Sequence, residues 1–344
     1  MLKVGIVGGT GYVGIELIRL LANHPKVKLE SISSVSYQGQ KVEDIYPNVL
    51  NIVDLVCESS DEVINKCDLI FTALPHGLSE HIVDKCIRNN KVCIDIGADF
   101  RLKSEDVYKK WYQKDFEIKD IHKEAVYGLP EVYREQIQKS IVIANPGCYP
   151  TSAVLGLAPI FKNKIVKPDS VIIDAKSGTT GTGRNPSQIT HFSECNENIT
   201  AYGIASHRHM PEIEQTLTEL CGGDVIVSFT PHLIPVSRGI LSTIYVQLKE
   251  SPSIEEIHDI YKDYYKDEKF VRILPLGQVA NIRNVTHSNF CDISIHYDSR
   301  SQRLIISSAI DNMIKGAAGQ AVQNMNIRMG FEEEEGLMLI PPAF

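Results

Sequence analysis

The apolar positions of the first 150 residues fall into short, nearly unbroken runs. Residues 2–7 form one such run, and after a glycine-dense gap Ile15, Leu17, Ile18, Leu20 and Leu21 return at the spacing of one helix face. A second run at 27–33 follows a His24-Pro25 turn, and further strands are expected at 69–74, 92–96 and 141–144 with helical or loop stretches between them. Such alternation predicts a mostly parallel sheet whose ligands bind at the carboxyl ends of its strands. From residue 171 the pattern changes. Longer alternating runs at 171–176, 225–230, 241–248, 290–297 and 304–308 predict a second sheet, mixed or antiparallel, with one face covered. A small-residue helix is expected to open within 311–321 and reach about Met329, and Glu332 to Glu335 read as a solvated face.

The gap after the first strand holds Gly8, Gly11 and Gly14, three apart, in the run Gly8-Gly9-Thr10-Gly11-Tyr12-Val13-Gly14. Strand, glycine turn and helix in this order let backbone N–H groups approach a pyrophosphate at a helix start. The fold class is therefore α/β: a Rossmann-type parallel-sheet domain plus an α+β domain with a mixed or antiparallel sheet. Where an NAD site would place a carboxylate, the second strand ends in Ser33-Ser34, with Ser36 and Lys41 beyond. Hydroxyls beside a cation suit a 2′-phosphate, which favours NADP; the alternative is that Glu30 or Glu43 serves the ribose.

Composition narrows the classes of function. A chain of 344 residues that is 43% hydrophobic is long enough for two domains. Its formal charge of -8 and pI near 5.8 argue against a nucleic-acid partner, which would call for a basic face. No secretory signal and no membrane span are read, and the eight scattered cysteines form no Cys-x-x-Cys pair, which points to reduced thiols in the cytoplasm.

The reactive candidate is Cys148, in Asn145-Pro146-Gly147-Cys148-Tyr149-Pro150-Thr151. A strand at 141–144, a Pro-Gly turn and a helical run from Thr151 put this thiol at a helix N-terminus, where unpaired N–H groups favour the thiolate. The alternative is a small buried hydrophobe. Two further loops fall at strand ends. One is Pro75-His76-Gly77; the other, 97–101, carries Arg101, either a fork for a phosphate or carboxylate or one half of an ion pair. The loop 177–184, from Ser177-Gly178 to Arg184, is a linker or wraps a phosphate. His207 and His209, expected to be exposed just before a helix opened by Pro211, read as acid/base partners of Cys148; a metal site would need a third ligand, and none is called.

Together these motifs, with Ala73-Leu74-Pro75-His76-Gly77, Asp99-Phe100-Arg101-Leu102, Tyr127-Gly128-Leu129-Pro130-Glu131 and His207-Arg208-His209-Met210-Pro211-Glu212, resemble the N-acetyl-gamma-glutamyl-phosphate reductases of the semialdehyde dehydrogenase superfamily. The resemblance covers essentially the whole chain. It implies a nicotinamide domain at 1–147 and 313–344 and a substrate and oligomerisation domain at 148–312. It implies NADP as cofactor, held by Gly8, Thr10, Gly11, Tyr12, Val13, Gly14, Ser33, Ser34, Pro75, Ser177, Gly178 and Asn312. Cys148 would be the nucleophile, His209 or His207 the acid/base, and Arg101, Arg184, Asn145 and Glu212 the substrate contacts. The implied partners are a small acyl phosphate or semialdehyde, phosphate, and further copies of the chain in a dimer or tetramer. An aminoadipyl or aspartyl phosphate is the alternative substrate.

Overall fold

The computed structural model describes residues 1–250 and 252–343. The chain divides into two compact units, Met1–Pro146 with Ala317–Met338, and Gly147–Gly316 with the tail from Leu339.

The first unit is built on strands β1 (Leu2–Val7), β2 (Val27–Ser33), β3 (Cys57–Glu58), β4 (Leu69–Thr72), β5 (Val92–Asp95), β6 (Val126–Tyr127) and β7 (Val142–Ala144). All pairings are parallel, in the order β3-β2-β1-β4-β5-β7-β6. β4 and β7 are buried at every position, as parallel strands between two helical layers must be. Helices Ser60–Lys66 and Glu80–Arg88 pack on each other and on the sheet, as do helices Tyr12–Leu21 and Gly319–Met329. The chain leaves β1 toward β2 on one side and returns through β4 on the other, so the carboxyl ends of β1 and β4 flank a crevice of the kind that receives ligands in open α/β sheets. The five strands expected from the apolar runs are β1, β2, β4, β5 and β7. The two-residue edge strands β3 and β6 carry too short a pattern to be legible.

The second unit holds β8 (Val171–Ser177), β9 (Thr200–Ala201), β10 (Val227–Leu233), β11 (Ile240–Gln247), β12 (Val271–Ile273), β13 (Cys291–Asp298) and β14 (Arg303–Ile310), in the order β12-β13-β14-β11-β8-β10-β9. The sheet is mixed, because β8 with β10 and β12 with β13 run parallel while the other neighbours are antiparallel. β11 alternates buried and half-buried residues along its whole length, the mark of one covered face. The cover is helix Cys148–Lys162 with helices Met210–Cys221 and Ile254–Tyr264. Gly156 lets the first of these lie close, since a Cβ there would come within 2.9 Å of Ile244.

Candidate functional site

In the first unit the candidate residues gather at the carboxyl edge of the sheet. Gly8 sits at φ +91, in the left-handed region, and a Cβ on it would lie 2.5 Å from the Ala73 carbonyl oxygen. Gly14 is equally constrained, with the Gly8 and Gly9 backbone 2.6 Å from its missing Cβ. Gly11 differs. It caps the helix Tyr12–Leu21 without any side-chain cap, and beyond its chain neighbours the nearest atom among the described residues to the Cβ it lacks is the Gly8 carbonyl oxygen, at 3.8 Å. Backbone N–H groups at an open helix start, on a glycine whose space the protein leaves empty, fit the diphosphate of a dinucleotide. The N–H groups of Gly8 and Gly9 donate to the Ser33 carbonyl, and the Thr10 and Ser34 hydroxyls are hydrogen-bonded at 2.7 Å. This ties the loop to the end of β2. Val13 continues the helix, and Tyr12 is exposed.

Two expectations about charge change here. The Lys41 ammonium is engaged by Asp54 at 2.8 Å and Glu43 at 3.3 Å, so it is held away from the role of a free cation beside the serines. Glu43 also accepts the Asn51 N–H, and Glu30 pairs with Lys28, which gives both carboxylates other partners than a ribose.

Pro75 lies exposed in the loop after β4. The next strand-end loop carries Arg101, which is buried; its Nε donates to the Asn145 carbonyl at 2.9 Å and an Nη to the Ile96 carbonyl at 2.8 Å. Asn145 is fully buried as well. Its amide donates to the Ala317 carbonyl and accepts from Asn324, both at 3.0 Å. Arg101 and Asn145 therefore fix the start of the turn that leads, three residues on, to Cys148.

In the second unit Cys148 is the first residue of a 15-residue helix, with Gly147 at the N-cap. It is half-buried, whereas residues 149–161 are all buried. The Gly147 N–H, an orphan donor in an uncapped helix, goes to the buried carboxylate of Glu212 at 2.8 Å. Gly316, in the π-helical turn Ile314–Ala318, closes the other side: a Cβ on it would come within 2.8 Å of Cys148 Cβ.

The two histidines lie just before helix Met210–Cys221, and they are half-buried rather than exposed because both rings stand edge-on against the buried Tyr149 ring, at 5.6 and 5.9 Å. A periodicity reading cannot see that packing. They differ from each other. The His207 Nδ1 accepts the backbone N–H of His209 at 3.1 Å, which puts the proton of neutral His207 on Nε2. Burial, aided by Arg208, depresses the His207 pKa to about 4.

Ser177, Gly178 and Asn312 come together. Asn312 accepts the Gly239 N–H at 2.7 Å and donates to the Thr180 hydroxyl at 3.0 Å, and the Gly178 N–H donates to the Gly239 carbonyl. The Ser177 hydroxyl donates to the Gly178 carbonyl at 3.0 Å. Arg184 lies half-buried beyond the turn Thr179–Thr182. Gly316 and Tyr149 escaped sequence reasoning as site residues, although Gly316 lies in the small-residue stretch expected to open the last helix.

One unit carries a nucleotide-type glycine loop and the other a half-buried cysteine at a helix start, and the chain is of the semialdehyde dehydrogenase class. Residues 3–140 match the family model described as the semialdehyde dehydrogenase NAD binding domain, and residues 148–312 match its dimerisation domain. Among relatives, N-acetyl-gamma-glutamyl-phosphate reductase of Clostridium botulinum (strain Alaska E43 / Type E3) is 58% identical over the full length of both chains. That of Brachyspira hyodysenteriae is 50% identical, again over all of both. The chain belongs to the N-acetyl-gamma-glutamyl-phosphate reductase family and is an oxidoreductase. Its fold is also that of aspartate semialdehyde dehydrogenase II complexed with ASA from Vibrio cholerae, with TM-score 0.74 at 15% identity over 96% of this chain and 98% of that one. The aspartate semialdehyde dehydrogenase with NADP from Candida albicans gives TM-score 0.74 at 17% identity, over 95% and 98%.

Proposed function

We propose that the protein reduces N-acetyl-gamma-glutamyl phosphate to N-acetylglutamate 5-semialdehyde with NADPH, releasing phosphate, as a cytoplasmic step of arginine biosynthesis. The observation that carries the reading is Cys148, the one residue of 148–161 that is not buried, at a helix start whose turn is held by buried Glu212. His209 takes the thiol proton, the Cys148 sulfur attacks the acyl carbon, and the carbon–oxygen bond to phosphate breaks. His209 returns the proton to the departing phosphate, leaving a thioester on Cys148. Bound NADPH supplies the hydride that reduces this thioester. The thiohemiacetal oxyanion, stabilised by N–H groups at the helix start, re-forms its carbonyl, and the carbon–sulfur bond breaks to free the aldehyde and the thiolate.

His207 is assigned the orienting role. With Nδ1 occupied by the His209 N–H and its basicity lowered by burial, it stays neutral and holds the turn on which His209 sits. The choice of NADP over NAD rests on Ser33 and Ser34, two hydroxyl residues at the end of β2, where an NAD site would place a carboxylate; the second is hydrogen-bonded to Thr10 of the glycine loop. Arg101 and Asn145 set the cysteine turn, and Arg184 is left as the anion contact on the substrate loop. A homodimer through the uncovered face of the second sheet is supported by its half-exposed residues and by the description of the matched domain. The aminoadipyl and aspartyl alternatives are not favoured, because the full-length relatives carry the N-acetyl-gamma-glutamyl name and the aspartate enzymes match in fold alone.

The test is Cys148→Ser. It should abolish NADPH oxidation driven by N-acetylglutamyl phosphate while NADPH still binds, as read by its fluorescence. Near-parental turnover would sink the reading.

A further inference from the structure

The loop after β4 borders the glycine loop, since the missing Cβ of Gly8 faces both the Ala73 carbonyl and, at 3.3 Å, Leu74. This loop has an unusual anchor. Asp99, fully buried in the loop after β5, accepts the Gly77 N–H and the Tyr108 hydroxyl on Oδ1, at 2.5 and 3.0 Å, and the Ser79 N–H on Oδ2 at 3.0 Å. Tyr108 is itself buried and stacked on Tyr112, with ring centroids 4.9 Å apart, so the acceptor is held from beneath by a rigid donor. Gly77 needs this restraint. It sits at φ +79, and the three atoms nearest to the Cβ it lacks belong to the flexible end of Lys114, whose ammonium lies 3.4 Å from its carbonyl.

We propose that Asp99 is a positioning residue: it locks residues 75–79 in the conformation that receives the nicotinamide cofactor beside the glycine loop. The proposal rests on the functional reading above. An ionised carboxylate is the one small side chain that accepts on both oxygens, whereas an amide of the same shape must turn a donor toward either Ser79 or the Gly77–Tyr108 pair. One of the two backbone bonds is then lost, and the loop gains freedom at the glycine best able to use it.

The experiment titrates NADPH into the full chain and into Asp99→Asn, following cofactor fluorescence, with iodoacetamide alkylation of Cys148 measured in parallel. The Kd for NADPH should rise roughly 10-fold or more, the scale of one lost hydrogen bond to a charged group, while alkylation stays within about 2-fold. A Kd within about 2-fold of the parent overturns the proposal, and so does a rise matched by an equal change in alkylation, which is general loosening. Should Asp99→Asn not fold, Tyr108→Phe removes one of the three donors and keeps the ring; a Kd raised about 3-fold is expected, and an unchanged Kd overturns the proposal. Failure of the functional reading is separately visible, as an unsubstituted protein that binds no NADPH.

Discussion

The two units each contain a helix that starts on a glycine without a side-chain cap, yet its surroundings differ. Gly11 and Gly147 have nearly the same backbone, φ -76 and ψ 169 against φ -69 and ψ 154. Around Gly11 the space is open, and its own N–H stays within the loop, on the Gly8 carbonyl. Around Gly147 the N–H is taken by Glu212, and the first side chain of the helix is pressed by Gly316. At Gly11 the loop leaves room beside the helix start, whereas at Gly147 the cap N–H is spent on a buried carboxylate that holds the turn. On the proposed function, the difference separates a cradle for an anion from a mount for a nucleophile.

The contrast breaks most visibly at Gly316. Gly316→Ala places a methyl 2.8 Å from Cys148 Cβ and must displace one of them. A shift of the nucleophile on the order of 1 Å should lower kcat about 100-fold, measured by steady-state NADPH oxidation, with the Kd for NADPH unchanged. Loss of cofactor binding in equal measure would mean that the two devices are not separate.

Within the glycine loop, Gly14→Ala and Gly11→Ala should part ways. The first drives a methyl into backbone at 2.6 Å and should cost about 1–3 kcal/mol of stability in a urea melt. The second meets open space, so stability should hold or rise slightly while NADPH binding weakens about 10-fold. Equal melting midpoints would refute the assignment of Gly11 as the ligand-facing position.

The smallest effect is a shape, not a size. Because the folded pKa of His207 is depressed to about 4, native His207 binds fewer protons than the unfolded chain between that value and the ordinary 6.5. Its contribution to stability is therefore full above about pH 6.5 and is lost as pH falls toward 4. It follows that an acid limb of kcat near neutral pH belongs to another group. His209→Asn should lower kcat well beyond His207→Asn at every pH; the reverse order in pH–rate profiles would exchange the two roles.

The sequence by itself determined the fold class and the location of both turns. Unbroken apolar runs can only be buried on both faces, alternating ones on a single face, and glycine before a helical run marks a start whichever protein it is in. It also determined the family, since several motifs recur in order along the whole chain. Left to the tertiary structure were the partners of each polar side chain. Asn145 and Glu212, expected at the substrate, turn out to be buried supports of the cysteine turn, because segments far along the chain bring Asn324 and Ala317 to one and the Gly147 N–H to the other. Nothing in the local pattern distinguishes His207 from His209; a single backbone N–H on Nδ1 does. Gly316 was legible only as part of a small-residue helix; that it lies against Cys148 depends on how the π-helical turn packs. Periodicity is a property of neighbours in the chain, whereas hydrogen-bond partnership and steric pressure are properties of neighbours in space.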